Sequence, residues 1–365
     1  MTTAGIVLGL FSVFGLIGGF VGGALTDRFG RRNIILFGLV FSAVSTLTLG
    51  YVTTLEALYP LAVLVGTLSS ISGPAHSAMI ADILPETKRQ EGFGILRVVA
   101  NLAWLIGPTV GGYFATRSFM TLFITDAVFS CVVAILFFFF IKESQSKVAH
   151  QIEQGESFMK TIIGYADVIK DKAFNAFIFA SIIMGFVYLQ MYNSLSVYLR
   201  DVHNINAQGY GLLMSTSAIT VILFQFTTSR LIKGRAPFLM LVYGSLFYAV
   251  GFALFGFVSV LWMFALNVVI ITIGEMINMP TMQVLTAEFA PEALRGRYMA
   301  VFELTWAIPA TIGPGLAGVI LDNYNPNLLW YAGGILCGVS ALCFLALHIK
   351  LGKLERFLPQ TNVER

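Results

Sequence analysis

This sequence is poor in charge. Asp, Glu, Lys and Arg make up 11% of its 365 residues, against about a quarter in a soluble domain. Cysteine is nearly absent. Cys131, Cys337 and Cys343 sit singly in apolar runs without a C-x-x-C spacing, so no disulfide framework or cysteine metal site is expected. The 4 His are scattered and build no metal cage. No phosphate-binding Gly-Lys-Ser/Thr loop, G-x-S-x-G elbow or H-E-x-x-H occurs, so no enzyme and no cofactor is expected. A net charge of +3 is too small to point to nucleic acid.

What is present is apolar: 57% hydrophobic residues, 32 Phe and a mean hydropathy of +0.82. Reading for runs of about 20 apolar residues predicts spanning helices at 4–25, 33–52, 57–82, 93–115, 119–141, 174–199, 208–231, 237–257, 261–285, 298–321 and 328–350. The runs lack barrel-strand alternation. The fold class is therefore all-α and polytopic in the lipid bilayer. The first run has no basic lead-in and no clear cleavage site, so it reads as a retained span.

All but three of the 22 Lys and Arg residues fall on one side of these spans; Arg97, Arg117 and Arg200 are the exceptions. That side is expected to be cytoplasmic, with the C-terminus inside a plasma membrane. The long segment 142–173 begins polar. Phe158, Ile162, Tyr165 and Ile169 then recur at helical spacing, which predicts an amphipathic helix on the membrane surface. The expected organisation is a bundle at 1–141, a linker at 142–173, a bundle at 174–350 and a tail at 351–365. A monomer is expected.

The chain repeats itself. A constant offset of 206 pairs Pro74 with Pro280, Pro85 with Pro291, Glu86 with Glu292, Arg89 with Arg295, Gly107 with Gly313, Pro108 with Pro314 and Gly112 with Gly318. The same offset carries 208–231 onto the first span and 174–199 to positions before Met1. The reading that follows is 5 + 6 spans here and 6 + 6 in the parent fold, with one helix missing ahead of Met1.

Three motifs stand out. The loop Gly23-Ala-Leu-Thr-Asp27-Arg28-Phe-Gly30-Arg31-Arg32 joins the first two spans. Gly107-Pro108-Thr-Val-Gly111-Gly112 lies in the span 93–115, where proline removes a backbone hydrogen bond and kinks the helix. Cavity sealing by that kink and close helix packing by its glycines are both open readings. Gly15, Gly19 and Gly23 form a small-residue stripe on which a neighbour can pack.

The loop resembles the G-x-L-x-D-R-x-G-R-R loop of the major facilitator superfamily, and the Gly-Pro motif resembles that of its bacterial drug:proton antiporters. The resemblance covers the chain apart from the first family helix. It implies a cytoplasmic gate in which Asp27 meets the N-terminus of a helix in the other half, starting near Ala300, while Arg31 meets Asp82. It implies small-molecule substrates and protons as partners. The Arg that many such antiporters carry in the fourth family helix has no counterpart in Leu61-Ala-Val-Leu-Val65.

Ionisable groups inside spans are functional candidates because leaving them there costs several kcal/mol (~2.5–3.5 for a charged residue at mid-helix). Glu275, Glu303, Asp126 and His76 are the candidates for proton coupling. Arg97, Asn101, Trp104, Tyr188, Gln190, Tyr192, Asn193, Gln225, Asn267, Asn278 and Trp306 are the candidates for a substrate cavity. Arg97 and Glu303 hold equivalent repeat positions with opposite charge, and Glu303 could pair with a nearby Arg. The reading that fits best is a secondary transporter exporting amphipathic organic compounds by proton antiport with alternating access. A truncated remnant without transport, and a facilitator or symporter for a sugar or peptide, are the alternatives.

Overall fold

A computed structural model describes residues 2–52, 54–115, 118–144 and 164–352. Arg117, most of the linker and the tail beyond Gly352 lie outside the described residues. The described residues form helices and no strand. The helices are α1 (Thr2–Phe29), α2 (Arg31–Tyr51), α3 (Leu55–Ser70), α4 (Gly73–Ile83), α5 (Glu86–Ala115), α6 (Phe119–Phe140) and α7 (Tyr165–Lys170). Then come α8 (Lys172–Tyr188), α9 (Gln190–Asn193), α10 (Leu195–His203), α11 (Ala207–Ile232), α12 (Pro237–Phe255), α13 (Leu261–Phe289), α14 (Arg295–Phe302), α15 (Leu304–Asn323) and α16 (Asn327–Leu351). Every expected apolar run is helical. Nine helical segments among the described residues are long and apolar enough to cross a membrane. In hydrocarbon a helix satisfies its own backbone, which is why these runs take no other form.

Three runs are broken where polar groups gather. The run 174–199 is interrupted at Leu189 and Ser194, 57–82 at Ile71–Ser72, and 298–321 at Glu303. Helix starts are set locally. Asp171 accepts from the Ala173 and Phe174 N–H groups at 3.1 and 3.0 Å, and Asn206 accepts from Gly209 at 3.1 Å. Gly30 takes φ +89°, a left-handed conformation that starts α2.

Two compact units interleave along the chain rather than dividing it at the linker. The first is Met1–Pro85, Ile106–Lys170 and Phe289–Glu303; the second is Glu86–Leu105, Asp171–Glu288 and Leu304–Arg365. In the first unit α1 packs on α3 through glycine. A Cβ on Gly18 would strike the Thr67 backbone, and one on Gly22 the Ile71 backbone. The contact row is thus Gly15, Gly18 and Gly22; Gly19 faces nothing within 4 Å, and Gly23 faces α14 instead. Ile34, Ile35, Ile71, Ala75 and Met79 form the core beside this row. The short helix α7 buries Val168 completely and leaves Ile169 exposed, and the Tyr165 hydroxyl donates to the Phe20 carbonyl of α1. The expected surface face of Tyr165 and Ile169 is therefore split, because one of its members is bound to protein.

In the second unit α12 packs along α16, with Gly334 against Ala249 and Ala253. Trp330, Phe252, Phe255, Phe264 and Tyr198 interlock around it. The Ser340 hydroxyl donates to the Ala180 carbonyl at 2.9 Å, tying α16 to α8.

Candidate functional site

The second unit holds a charged cluster inside its apolar helices. Glu275 on α13 is 2% exposed. It forms an ion pair with Arg97 of α5 and accepts a hydrogen bond from the Tyr188 hydroxyl at the end of α8. Tyr188 in turn shares a 3.0 Å hydrogen bond with Tyr192 on α9. The Tyr188 ring meets Trp306 edge-on at 5.6 Å and stacks on Tyr248 at 5.9 Å. Among the described residues, Glu275 Oε2, Arg97 Nε and the Tyr248 hydroxyl are buried without a hydrogen-bond partner. The Glu275 carboxylate thus has one oxygen paired with Arg97 and Tyr188 and one without a partner.

The other expected cavity residues divide. Gln225 donates to the Met276 carbonyl at 3.0 Å and to Ser229 at 3.1 Å, bracing α11 against the helix that carries Glu275. Asn278 is fully buried, donates to Met184 Sδ at 3.1 Å and leaves Oδ1 unpaired; Asn267 is buried with Nδ2 unpaired. Neither asparagine bonds to Glu275 in the described structure. Gln190 bonds to the Phe186 carbonyl and accepts from Ser194. Asn101 donates to the Arg97 carbonyl. Trp104 is 80% exposed and Asn193 is exposed.

The remaining ionisable candidates stand apart. Arg97 pairs with Glu275; for Glu303 no ion pair or side-chain hydrogen bond occurs among the described residues. Glu303 sits at the break between α14 and α15. Asp126 is exposed and accepts from Thr46 at 2.8 Å. His76 is exposed and bonds at 2.8 Å to the carbonyl of Ser72, the residue just before its own helix. The motif 107–112 is helical throughout, and Gly107 and Gly111 have nothing within 4 Å of where a Cβ would sit.

The first unit holds a second cluster, at the loop between α1 and α2. Asp27 is fully buried and accepts from the Gly296 and Arg297 N–H groups at 2.8 and 3.1 Å. These are the first residues of α14, where free N–H groups and the helix dipole favour an anion. The helix starts at Arg295, a turn earlier than the expected Ala300, because the 3-10 turn Glu292–Leu294 leads directly into it. Gly23 and Gly296 let the two backbones meet. Arg31 is fully buried; it donates to Asp82 at 2.9 Å and to the Glu292 carbonyl at 2.9 Å, and lies 3.6 Å from Asp27. Arg295 also pairs with Asp82, and Arg297 lies 3.8 Å from Asp27. Burial pushes the Asp27 carboxyl up to about 7, against the pull of Arg31, Arg297 and the two N–H groups. Arg32 donates to the Ile141 and Phe138 carbonyls, and Arg28 lies over Phe29.

Sequence reasoning missed Glu143. Its carboxylate accepts from the Arg31 and Arg32 N–H groups at 3.0 Å each and so caps α2. No local signal marks it, since the cap comes from the far end of α6. It also missed Lys233 and Glu91, which pair at 2.9 Å in the second unit. Here the repeat was the signal: the 206 offset carries Asp27 to Lys233, Arg297 to Glu91, and the Gly23–Ala300 approach to Ser229–Gly94.

The sequence profile of the Major Facilitator Superfamily matches residues 1–239 and 199–362. The chain belongs to the major facilitator superfamily. It is a multi-pass membrane transporter of that superfamily. It is 24% identical over 339 residues to the Na(+), Li(+), K(+)/H(+) antiporter of Planococcus maritimus, covering 85% of this chain and 80% of that protein. It is 24% identical over 344 residues to the tetracycline resistance protein, class H, of Pasteurella multocida, covering 92% and 84%. Its fold matches the crystal structure of a bacterial homologue of the iron transporter ferroportin with a TM-score of 0.76 at 14% identity, covering 95% and 91%.

Proposed function

We propose that this superfamily member exports small amphipathic organic compounds across a bacterial cell membrane in exchange for protons, by alternating access. The observation that carries the proposal is the buried Glu275, held by Arg97 and Tyr188 within the helices. A carboxylate there is stable as an ion only while Arg97 compensates it. Protonation removes the need for that partner and frees Arg97, so proton binding and side-chain rearrangement are one event. Aromatic surfaces of Tyr188, Tyr192 and Trp306 suit selection by shape and hydrophobicity. The Asp27 cluster acts as a cytoplasmic gate that forms and breaks once per cycle. Relatives named for antiport and for tetracycline resistance support the reading.

A second reading is exchange of a monovalent inorganic cation for protons. The unpaired Glu275 Oε2 and the cation-named relative favour it. Accumulation of a panel of lipophilic dyes and drugs in cells expressing the chain tests the first reading. Lower accumulation of some panel members in wild type, lost in Glu275→Gln, is the expected result. Unchanged accumulation across the panel, with growth rescued in high Na(+) or Li(+), replaces it with the second.

A further inference from the structure

We infer that Tyr192 and Tyr188 form the path by which a proton reaches Glu275, a role that rests on Glu275 being the coupling carboxylate. The geometry orders the path. Tyr188 has one hydroxyl proton and donates it to Glu275 Oε1. The 3.0 Å bond between the two phenols must then have Tyr192 as its donor. Every hydrogen bond in the row therefore points toward the carboxylate.

Accessible surface rises along the row, whose residues lie in segments long and apolar enough to cross a membrane. Glu275 is 2% exposed, Tyr188 8% and Tyr192 43%. Tyr192 is the outermost link of this row. The spacing of four residues sets the two hydroxyls on one face, across the interruption at Leu189 between α8 and α9. The charged and titratable groups around the carboxylate are Arg97 from α5, Tyr188 and Tyr192 from α8 and α9, and Tyr248 from α12. Of these, Arg97 carries no removable proton at working pH, and Tyr248 stacks on Tyr188 with its hydroxyl unbonded.

The step balances without forming a phenolate. A hydronium ion at the exposed side gives a proton to Tyr192 Oη, the Tyr192 proton passes to Tyr188 Oη, and the Tyr188 proton passes to Glu275 Oε1. Three O–H bonds break and three form. Both phenols end neutral, water is released outside, and Glu275 is uncharged. The Arg97–Glu275 ion pair is thereby weakened at the moment the proton arrives.

The test is the rate and the extent of proton uptake after a pH drop. It uses the purified full chain in lipid nanodiscs, a pH-indicator dye and the infrared band of a protonated carboxyl. Wild type is expected to show uptake and a band that are absent in Glu275→Gln. Tyr192→Phe and Tyr188→Phe are expected to keep the extent and lose roughly a hundredfold in rate, the low end of what a positioned proton-transfer group contributes. Tyr331→Phe, which removes a hydroxyl bonded to the Gly256 carbonyl instead, is expected to keep the rate. A wild-type rate in Tyr192→Phe, with the Glu275 band intact, overturns the relay alone. A wild type with no Glu275-dependent uptake overturns the coupling role of Glu275 as well.

Discussion

At the residue scale the Arg97–Glu275 pair is a buried charge pair within the apolar helices of the second unit. Removing one member of a buried pair strands the other, at a cost of ~3–5 kcal/mol, whereas replacing both with apolar residues of similar volume is near neutral. Arg97→Met is therefore expected to lower the thermal midpoint in detergent, and Arg97→Met with Glu275→Leu to restore it, as read by differential scanning fluorimetry. Glu275 was legible in the sequence because a charge in an apolar run stands out by solvation cost alone. Its partner was not. Arg97 also stood out, but nothing in the spacing of either helix joins it to Glu275; tertiary packing makes that pair. Asn267 and Asn278 looked close to Glu275 by helical spacing, yet Asn278 bonds to Met184 and neither bonds to Glu275 among the described residues, which spacing along one helix cannot reveal.

At the scale of elements, the contact between the end of α1 and the start of α14 carries a pH dependence. The carboxyl of Asp27 rises from 3.8 to about 7 in this contact because burial disfavours its charged form. A group that holds its proton more tightly when buried stabilises the buried state most at low pH. That stabilisation is complete below the exposed value and is lost as pH rises through about 7. Hydrogen-exchange protection of the Gly296 and Arg297 amides is accordingly expected to fall as pH is raised through 7, and Asp27→Asn to flatten that fall. The contact itself was legible from the ten-residue loop motif, since the pairing of Arg31 with Asp82 and of Asp27 with a helix start both occur. The turn by which α14 starts early was not legible, because the 3-10 lead-in at Glu292–Leu294 has no apolar period to mark it. The glycine row was read one face off. Spacing of four is satisfied by Gly15, Gly19 and Gly23 as well as by Gly18 and Gly22, and only the position of α3 decides between them.

At the scale of the whole molecule, repetition in sequence becomes repetition of contacts. Each compact unit contains a loop-end helix braced against the start of another helix: α1 on α14 in one, α11 on α5 in the other. The first brace uses a carboxylate on free N–H groups, and the second uses Lys233 on Glu91. If both braces form and break together, reversing either charge of the second impairs transport, and reversing both restores it. Lys233→Glu and Glu91→Lys are each expected to cut dye export several-fold, and the double variant to recover most of it. The interleaving of the units was invisible in the sequence because it depends on which half of a long helix finds which neighbour. The helical character of the chain was plain, since its apolar runs have no other stable form in hydrocarbon.

Coupling of substrate to proton through Glu275 is tested most directly in proteoliposomes with an acidic interior, carrying a lumenal pH reporter, to which a lipophilic dye is added outside. Dye uptake accompanied by lumenal alkalinisation is expected in wild type, and neither in a folded Glu275→Gln variant. Dye movement without proton movement, or undiminished exchange in Glu275→Gln, would contradict that coupling.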